Sequence, residues 1–260
     1  MGVQRAMLRI TYFGISNFCI EHDGTRILVD PCFRDNPMTH VAPGDVRCDV
    51  VLVTHGGRDH LGDASEILER NPDARLYAPA DVATHLVRQG LPAERAFRMV
   101  PGAMRMDGGM RLKAVQAVHI SFTASDGGYL TGVPLGFILH LGAIRLYHPG
   151  DTCLFGDLRL IGELYQPNVM CVPIGMFPGA VTEMDPWEAA IAASWVRPRL
   201  CIPMHYDPKS QGNFPELFAS ELAQRMGSGR PRICHIPFDH TVSVDEACVP
   251  TDPLRWVVEA

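Results

Sequence analysis

Two histidines and a carboxylate stand within six residues, directly after an apolar run. The run covers residues 50–53, and His55, Asp59 and His60 follow it. Buried strands end in loops, so ligands placed just after such a strand rest on a rigid base and still face open space. Imidazole and carboxylate groups are the ligands that zinc and similar divalent metals take in proteins. The stretch therefore predicts part of a metal site.

Polar side chains also follow later apolar runs. His119, Asp151 and His205 each stand just after a predicted strand. One histidine in such a place is more often an ordinary surface residue, but recurrence at successive strand ends favours a shared site. The ends of stacked sheets meet along one edge, where these groups would gather. The candidate metal ligands are His55, Asp59, His60, His119, Asp151 and His205, with Asp30 as a supporting carboxylate.

The elements that must position these residues are strands and helices in alternation. Residues 8–30 are predicted as three antiparallel strands, and residues 64–90 as a helix, a strand and a second helix. Asp63 is the predicted N-cap of the first helix. Strands and helices alternate again over residues 111–227, and residues 121–131 are predicted as a loop on the wall of the pocket.

The chain shows no low-complexity linker between its two halves. We therefore predict a single α/β domain over residues 1–260, in which two mixed sheets pack face to face between helical layers. A helix is predicted from Pro186, and Trp187 and Trp195 on it are expected to serve packing.

Composition excludes several classes of partner. The net charge is −6, from 29 acidic and 23 basic residues with no basic stripe, which argues against nucleic-acid binding. The eight cysteines never form a Cys-X-X-Cys motif, which favours reduced thiols and a cytoplasmic location. No signal sequence and no 18-residue apolar segment is present, so no membrane association is expected. A small-molecule substrate is the predicted partner.

Several motifs together resemble the metallo-β-lactamase superfamily, in particular its branch of small metal-dependent hydrolases similar to ascorbate-6-phosphate lactonase. The likeness spans nearly the whole chain, and its motifs occur in the family's order. It rests on residues 28–31, 54–63, 147–157, 172–175 and 202–206, together with His119.

The resemblance implies a four-layer αββα sandwich with a metal site on one edge of the stacked sheets. The family signature is His-X-His-X-Asp-His. Carried over residue by residue, it implies a first site at His55 and His119, a second at Asp59, His60 and His205, and Asp151 as a bridge between them. Asp30 would orient one of the ligands, as metal-bound histidines generally require.

Two positions depart from the family pattern. Gly57 occupies the place of the second signature histidine, and glycine offers no side-chain ligand. The first site should therefore bind metal more weakly than the second, which favours a mononuclear centre. Ile15 stands where this branch usually has a histidine between Gly14 and Ser16, which indicates a remodelled pocket.

Other reactive side chains are assigned ordinary roles. Cys153 is a potential soft ligand, but a structural thiol is the favoured interpretation. His148 is interpreted as supporting or structural. His235 and the Asp239-His240 pair would have to fold back to reach the site, and are interpreted as surface or core residues. Arg58 is expected to pair with a carboxylate rather than to steer an anionic substrate.

The resulting prediction is a metal-dependent hydrolase acting on a small polar substrate, with a lactone or another cyclic ester or amide expected. Asp59 and Asp151 are the candidate catalytic carboxylates. One or two divalent ions are expected, zinc first, with manganese and iron as alternatives. The alternatives are a mononuclear, iron-type centre with lyase, isomerase or oxygen chemistry, and a binding protein that has lost catalysis. A homo-oligomer is expected by analogy alone.

Overall fold

A computed structural model of the chain describes residues 7–175 and 183–251. Its first sheet has seven strands in the order β16-β1-β2-β3-β4-β5-β6. The pairs from β16 to β3 are antiparallel, and those from β3 to β6 are parallel. These strands are β1 (Leu8–Gly14), β2 (Asn17–His22), β3 (Thr25–Val29), β4 (Val50–Leu52), β5 (Arg75–Pro79), β6 (Ala96–Met99) and β16 (His240–Val244).

The second sheet also has seven strands, in the order β15-β14-β13-β12-β11-β8-β7. Pairing is antiparallel from β7 to β12 and parallel from β12 to β15. Its strands are β7 (Met104–Asp107), β8 (Met110–Gln116), β11 (Leu135–Leu141), β12 (Ile144–His148), β13 (Val169–Pro173), β14 (Leu200–Met204) and β15 (Arg232–Ile233). A separate hairpin is formed by β9 (Phe122–Ser125) and β10 (Gly128–Thr131).

Helices cover the outer faces of both sheets. The apolar residues form three clusters: one between the sheets, one under α2 and α3, and one under α4, α5 and α6. This is the four-layer αββα sandwich that was predicted. The helices are α1 (Arg58–Leu61), α2 (Ala64–Arg70), α3 (Ala80–Arg88), α4 (Leu158–Tyr165), α5 (Pro186–Val196) and α6 (Phe214–Met226).

Strands β13 and β14 show why the pattern folds this way. Every residue of both strands is buried, as expected for central parallel strands covered on both faces. Helix α5 begins at the predicted Pro186, where the Asp185 carboxylate accepts a hydrogen bond from the Glu188 N–H at 2.8 Å. Within the described residues, no helix is long and apolar enough to cross a membrane.

Some local predictions were wrong. Residues 121–131 form the β9–β10 hairpin rather than an irregular loop. Asp63 occupies the N-cap position of α2 as predicted, but its carboxylate accepts bonds from the backbone of Phe33 and Arg34, at 2.8 and 3.0 Å, and makes no capping hydrogen bond. Trp187 is 52% exposed and lies near the Arg225 guanidinium, so it does not serve core packing.

Candidate metal centre

The structure brings all six predicted residues together at one edge of the two sheets. They form two groups, and within each group one ligand atom from every residue lies within 4.8 Å of the others. Asp151 belongs to both groups. The larger group is Asp59, His60, Asp151 and His205, and the smaller is His55, His119 and Asp151.

The positions of these residues follow from the strand ends. Strand β4 runs into His55, and the short helix α1 then carries Asp59 and His60. His205 directly follows β14, with φ at 55°, a conformation that costs energy for residues other than glycine. Its N–H donates to the Ile15 carbonyl at 2.8 Å, which ties this ligand to the opposite sheet.

Asp151 reaches the centre because the turn before it lies directly against Thr54. Gly150 has φ at +63°, and a Cβ at this position would lie 2.7 Å from the Thr54 Cβ, so only glycine fits. His148 secures the same turn. Its Nδ1 accepts from the Gly150 N–H at 3.3 Å, so its Nε2 is the protonated nitrogen and donates to the Ser16 carbonyl at 3.1 Å. This agrees with a supporting role for His148.

The larger group has the separations of a metal-binding set. The Asp151 Oδ2 lies 3.0 Å from the His60 Nε2 and 3.3 Å from the His205 Nε2. The Asp59 Oδ2 lies 3.7 and 3.6 Å from the same two nitrogens. Within the described chain, both nitrogens and the Asp151 Oδ1 are buried without a hydrogen-bond partner. Buried polar atoms are rarely left so, and a divalent cation between them would satisfy all of them.

A hydrogen-bond network behind these ligands fixes their orientation. The His60 Nδ1 donates to the Asp30 Oδ2 at 2.8 Å, so its Nε2 is free to face the centre. Asp30 also accepts from the Thr54 N–H at 2.8 Å and from the Thr54 hydroxyl at 2.9 Å. The Thr54 Oγ1 in turn lies 3.2 Å from the His55 Nδ1 and can accept a hydrogen bond from it. These contacts are the geometry expected of a residue that orients a ligand, the role that the resemblance implies for Asp30.

The smaller group is looser and adjoins Gly57. The His119 Nε2 lies 3.9 Å from the Asp151 Oδ2, and the ring centroids of His55 and His119 are 4.9 Å apart. A Cβ at Gly57 would lie 2.5 Å from the His55 Nε2 and 3.1 Å from the Asp59 Oδ1. The His55 ring thus lies so close to Gly57 that it would have to shift to make room for any side chain there.

Burial and the clustered charges shift the pKa values in opposite directions. Burial opposes charging of His60, but the carboxylates of Asp151, Asp30 and Asp59 outweigh it and raise its pKa well above the usual value. For His205, burial is likewise outweighed, chiefly by Asp151, and the pKa is raised. For His55, burial and the neighbouring His60 lower the pKa to about 3. His55 is therefore neutral, the form that binds a metal.

One acidic residue of the centre was missed by the sequence analysis. Glu183 is mostly buried, and its Oε2 lies 3.7 Å from the His205 Nδ1. Burial is the main reason that its pKa is raised to about 7, with Asp151 adding to the rise and His205 opposing it. A lone glutamate shortly before a helix carries no motif. Its only signal was its place just before the Asp185-Pro186 helix start.

The remaining candidates lie outside both groups of ligands. The Cys153 thiol belongs to neither group, and burial raises its pKa. His235 hydrogen-bonds to the Tyr206 hydroxyl, and Asp239 accepts from the Thr39 hydroxyl at 2.5 Å. Arg58 pairs with the Asp35 carboxylate at 2.9 Å, as expected, and both side chains are exposed. All eight cysteines are free thiols.

The β9–β10 hairpin lies directly against the first ligand loop. The Gly56 N–H donates to the Ser121 Oγ at 2.9 Å, and the Ser121 hydroxyl donates to the buried Asp81 at 2.5 Å. On the outer face of the hairpin, Phe122 and Tyr129 are 49% and 74% exposed. The hairpin therefore borders the centre and presents aromatic surface beside it.

Comparison with known proteins agrees with this fold and site. The sequence model of the beta-lactamase superfamily domain matches residues 25–206. A UPF0173 metal-dependent hydrolase of Opitutus terrae is 42% identical over 224 residues, covering 85% of this chain and 94% of the relative. Another, from Anoxybacillus flavithermus, is 37% identical over 202 residues and covers 77% and 86%. The chain therefore belongs to the UPF0173 metal-dependent hydrolases of the beta-lactamase superfamily.

A solved structure shows the same architecture over nearly the whole chain. It is a metallo hydrolase from the hyperthermophilic archaeon Ignicoccus hospitalis, with a TM-score of 0.77 and 28% sequence identity. The match covers 92% of this chain and 99% of that one. The predicted superfamily and fold are thus confirmed.

Proposed function

We propose that this metal-dependent hydrolase cleaves a lactone or another cyclic ester or amide of a small polar molecule. The observation that carries the proposal is the larger ligand group, in which buried, unpartnered nitrogens of His60 and His205 face the carboxylates of Asp59 and Asp151. A divalent cation held by these residues would lower the pKa of a bound water from about 15.7 toward roughly 7 and would polarise the scissile carbonyl. Zinc is the ion proposed first, with manganese and iron as alternatives.

The two carboxylates are suited to different tasks. The Asp59 side chain is 47% exposed and therefore lies at the mouth of the centre, within reach of substrate. Although burial opposes ionisation, His60 and His205 lower its pKa, so Asp59 is a carboxylate that can hold the nucleophile and accept its proton. Asp151 is 3% exposed and flanked by both imidazoles. Its part is to hold the ligands of the two groups together.

The choice of an ester or amide over a phosphodiester follows from the smaller group. Phosphoryl transfer is best served by two metals that clamp the attacking and leaving oxygens. The smaller group offers only His55 and His119 besides the shared Asp151, and Gly57 supplies nothing. An acyl substrate needs one strongly held ion and is the better match.

We also propose a cellular location for the enzyme and a role for its exposed aromatic residues. Eight free thiols suit a reducing cytoplasm. The exposed Phe122 and Tyr129 offer apolar surface either to substrate or to a second copy of the chain in a homo-oligomer.

The test begins with elemental analysis of protein purified without chelator, followed by assays on simple lactones. About one equivalent of zinc or manganese, with lactone turnover that a chelator abolishes, is the expected result. Iron content with oxygen consumption would instead favour lyase, isomerase or oxygen chemistry. If no metal binds and His60→Ala changes no property of the protein, the catalytic proposal is wrong and a degenerate binding protein remains.

A further inference from the structure

Each sheet contributes a histidine to the larger group, and each histidine has a carboxylate oxygen near its Nδ1. His60 follows the first sheet and has Asp30, while His205 follows the second sheet and has Glu183. We propose that Glu183 is the positioning residue of His205, orienting its imidazole toward the metal as Asp30 orients His60. The inference deepens the proposed function and rests on it, because it assumes that His205 is a ligand.

The need for such a residue follows from the chemistry of imidazole. A neutral ring that binds a metal through Nε2 must carry its proton on Nδ1, and that N–H requires an acceptor. His60 uses Asp30 at 2.8 Å, and His55 has the Thr54 Oγ1 at 3.2 Å. The His205 Nε2 faces Asp59 and Asp151, so its Nδ1 is the nitrogen that carries the proton.

Glu183 is the acceptor that the fold provides. Its Oε2 lies 3.7 Å from the His205 Nδ1 and is the carboxylate oxygen that pairs with this nitrogen. A hydrogen bond needs a closer approach by about 0.8 Å, which the three side-chain torsions of glutamate permit. The carboxylate itself is 11% exposed, so water competes little for it.

The backbone that follows Glu183 is well anchored. The next residue, Met184, is fully buried in the cluster under α5, and Asp185 caps that helix through the Glu188 N–H. On the other side, His205 sits in a left-handed conformation held by the Ile15 carbonyl. Both partners therefore start from fixed backbone positions, and only side-chain torsions separate them from a hydrogen bond.

The test measures metal binding rather than turnover. Affinity for Zn²⁺ is measured by competition with a chromophoric chelator, and the visible spectrum of the Co²⁺-loaded protein reports the geometry of the ligands. Glu183→Ala should weaken Zn²⁺ binding about 10- to 100-fold, the usual effect of losing such a partner. Glu183→Gln keeps an oxygen acceptor without the charge, and should show a smaller loss and a shifted Co²⁺ spectrum. Glu183→Asp should restore part of the affinity.

The matched control is Glu163→Gln, which removes one carboxylate from the exposed face of α4. Comparison of melting temperatures without metal separates a loss of ligand orientation from a loss of folding. If Glu183→Ala and Glu183→Gln match Glu163→Gln in Zn²⁺ affinity and Co²⁺ spectrum, the role of Glu183 is refuted while the hydrolase proposal stands. If the unaltered chain binds neither ion, the hydrolase proposal itself fails, and the role of Glu183 fails with it.

Discussion

The two ligand groups share Asp151 but differ in how well their members are supported. In the larger group, His60 is held by Asp30, and His205 has Glu183 behind its ring. In the smaller group, His119 lies 3.9 Å from Asp151, and Gly57 stands where the family signature has a ligand. The larger group should therefore bind the first ion, and the smaller group at most a weaker second.

The histidines of the two groups also differ in their protonation state. His55 has a pKa lowered to about 3, so a metal meets it already neutral. His60 and His205 have raised pKa values, and a metal must displace their protons before it can bind. The stronger group is thus also the one whose affinity depends on pH. The two groups thus differ in the protonation of their histidines as well as in the number of their ligands.

The largest effect is expected from His60→Ala. It removes a ligand of the larger group and leaves the buried carboxylates of Asp30 and Asp151 without their histidine partner. Metal affinity should fall by more than the roughly 100-fold that loss of a supporting residue causes, and lactone turnover should fall to background. Equilibrium dialysis and the lactone assay check this.

The matched control for His60→Ala is His140→Ala, because His140 lies on β11 and contacts Arg111 rather than the centre. It should leave both metal affinity and turnover unchanged. Equal retention of metal in both variants would contradict the ranking of the two groups, because the larger one would then contribute nothing.

The next largest effect is expected from Asp30→Asn. The amide oxygen can still accept the Thr54 N–H at the Oδ1 position, but the NH₂ then replaces Oδ2, which accepts from both the His60 Nδ1 and the Thr54 hydroxyl, so two donors lose their acceptor. We expect a loss of about 1–3 kcal/mol in the free energy of unfolding and of about 10- to 100-fold in metal affinity. Urea denaturation and chelator competition measure these.

Asp239→Asn is the control for this variant, since Asp239 also accepts side-chain and backbone bonds but lies outside both ligand groups. A loss of stability in Asp30→Asn without any change in metal affinity would separate Asp30 from the centre and make it a purely structural residue.

These residues also show which parts of the site can be predicted from the sequence. The clustering of the six candidate ligands was predictable because each follows an apolar strand, and parallel strand ends meet at one edge of a sheet. Glu183 was not predictable, because its role depends on how α5 docks beside β14. The hairpin of residues 121–131 was missed because its alternation is short and rich in glycine and hydroxyl side chains.

Gly57 also shows that the sequence does not predict the distances between residues of the site. The sequence shows that a histidine is missing there, and so predicts a weaker first site. Only the structure shows how close the His55 ring lies to this position. Pattern identifies which residues are present, while the space between them depends on the packing of several elements at once.

A smaller effect is expected from pH, which should change how much Zn²⁺ stabilises the protein. Protonation of His60 and His205 stabilises the metal-free fold fully below about pH 6.5, and this stabilisation is lost as the pH rises through their raised pKa values. Metal binding requires the neutral rings, so affinity increases over the same range. The rise in melting temperature on adding Zn²⁺ should therefore grow as the pH is raised above about 6.5. A constant or shrinking rise would contradict the assigned protonation states.

The smallest effect is expected from Gly57→Ala, which acts chiefly on the weaker group. Gly57 has φ at −56° and ψ at 141°, which any residue adopts, so the backbone is not strained. The new methyl group must displace the His55 ring, because its Cβ would lie 2.5 Å from the His55 Nε2. The first equivalent of metal should bind as before, and any weak second equivalent should disappear from the titration. Loss of the first equivalent in Gly57→Ala but not in His60→Ala would mean that His55, and not His60 with His205, belongs to the stronger site.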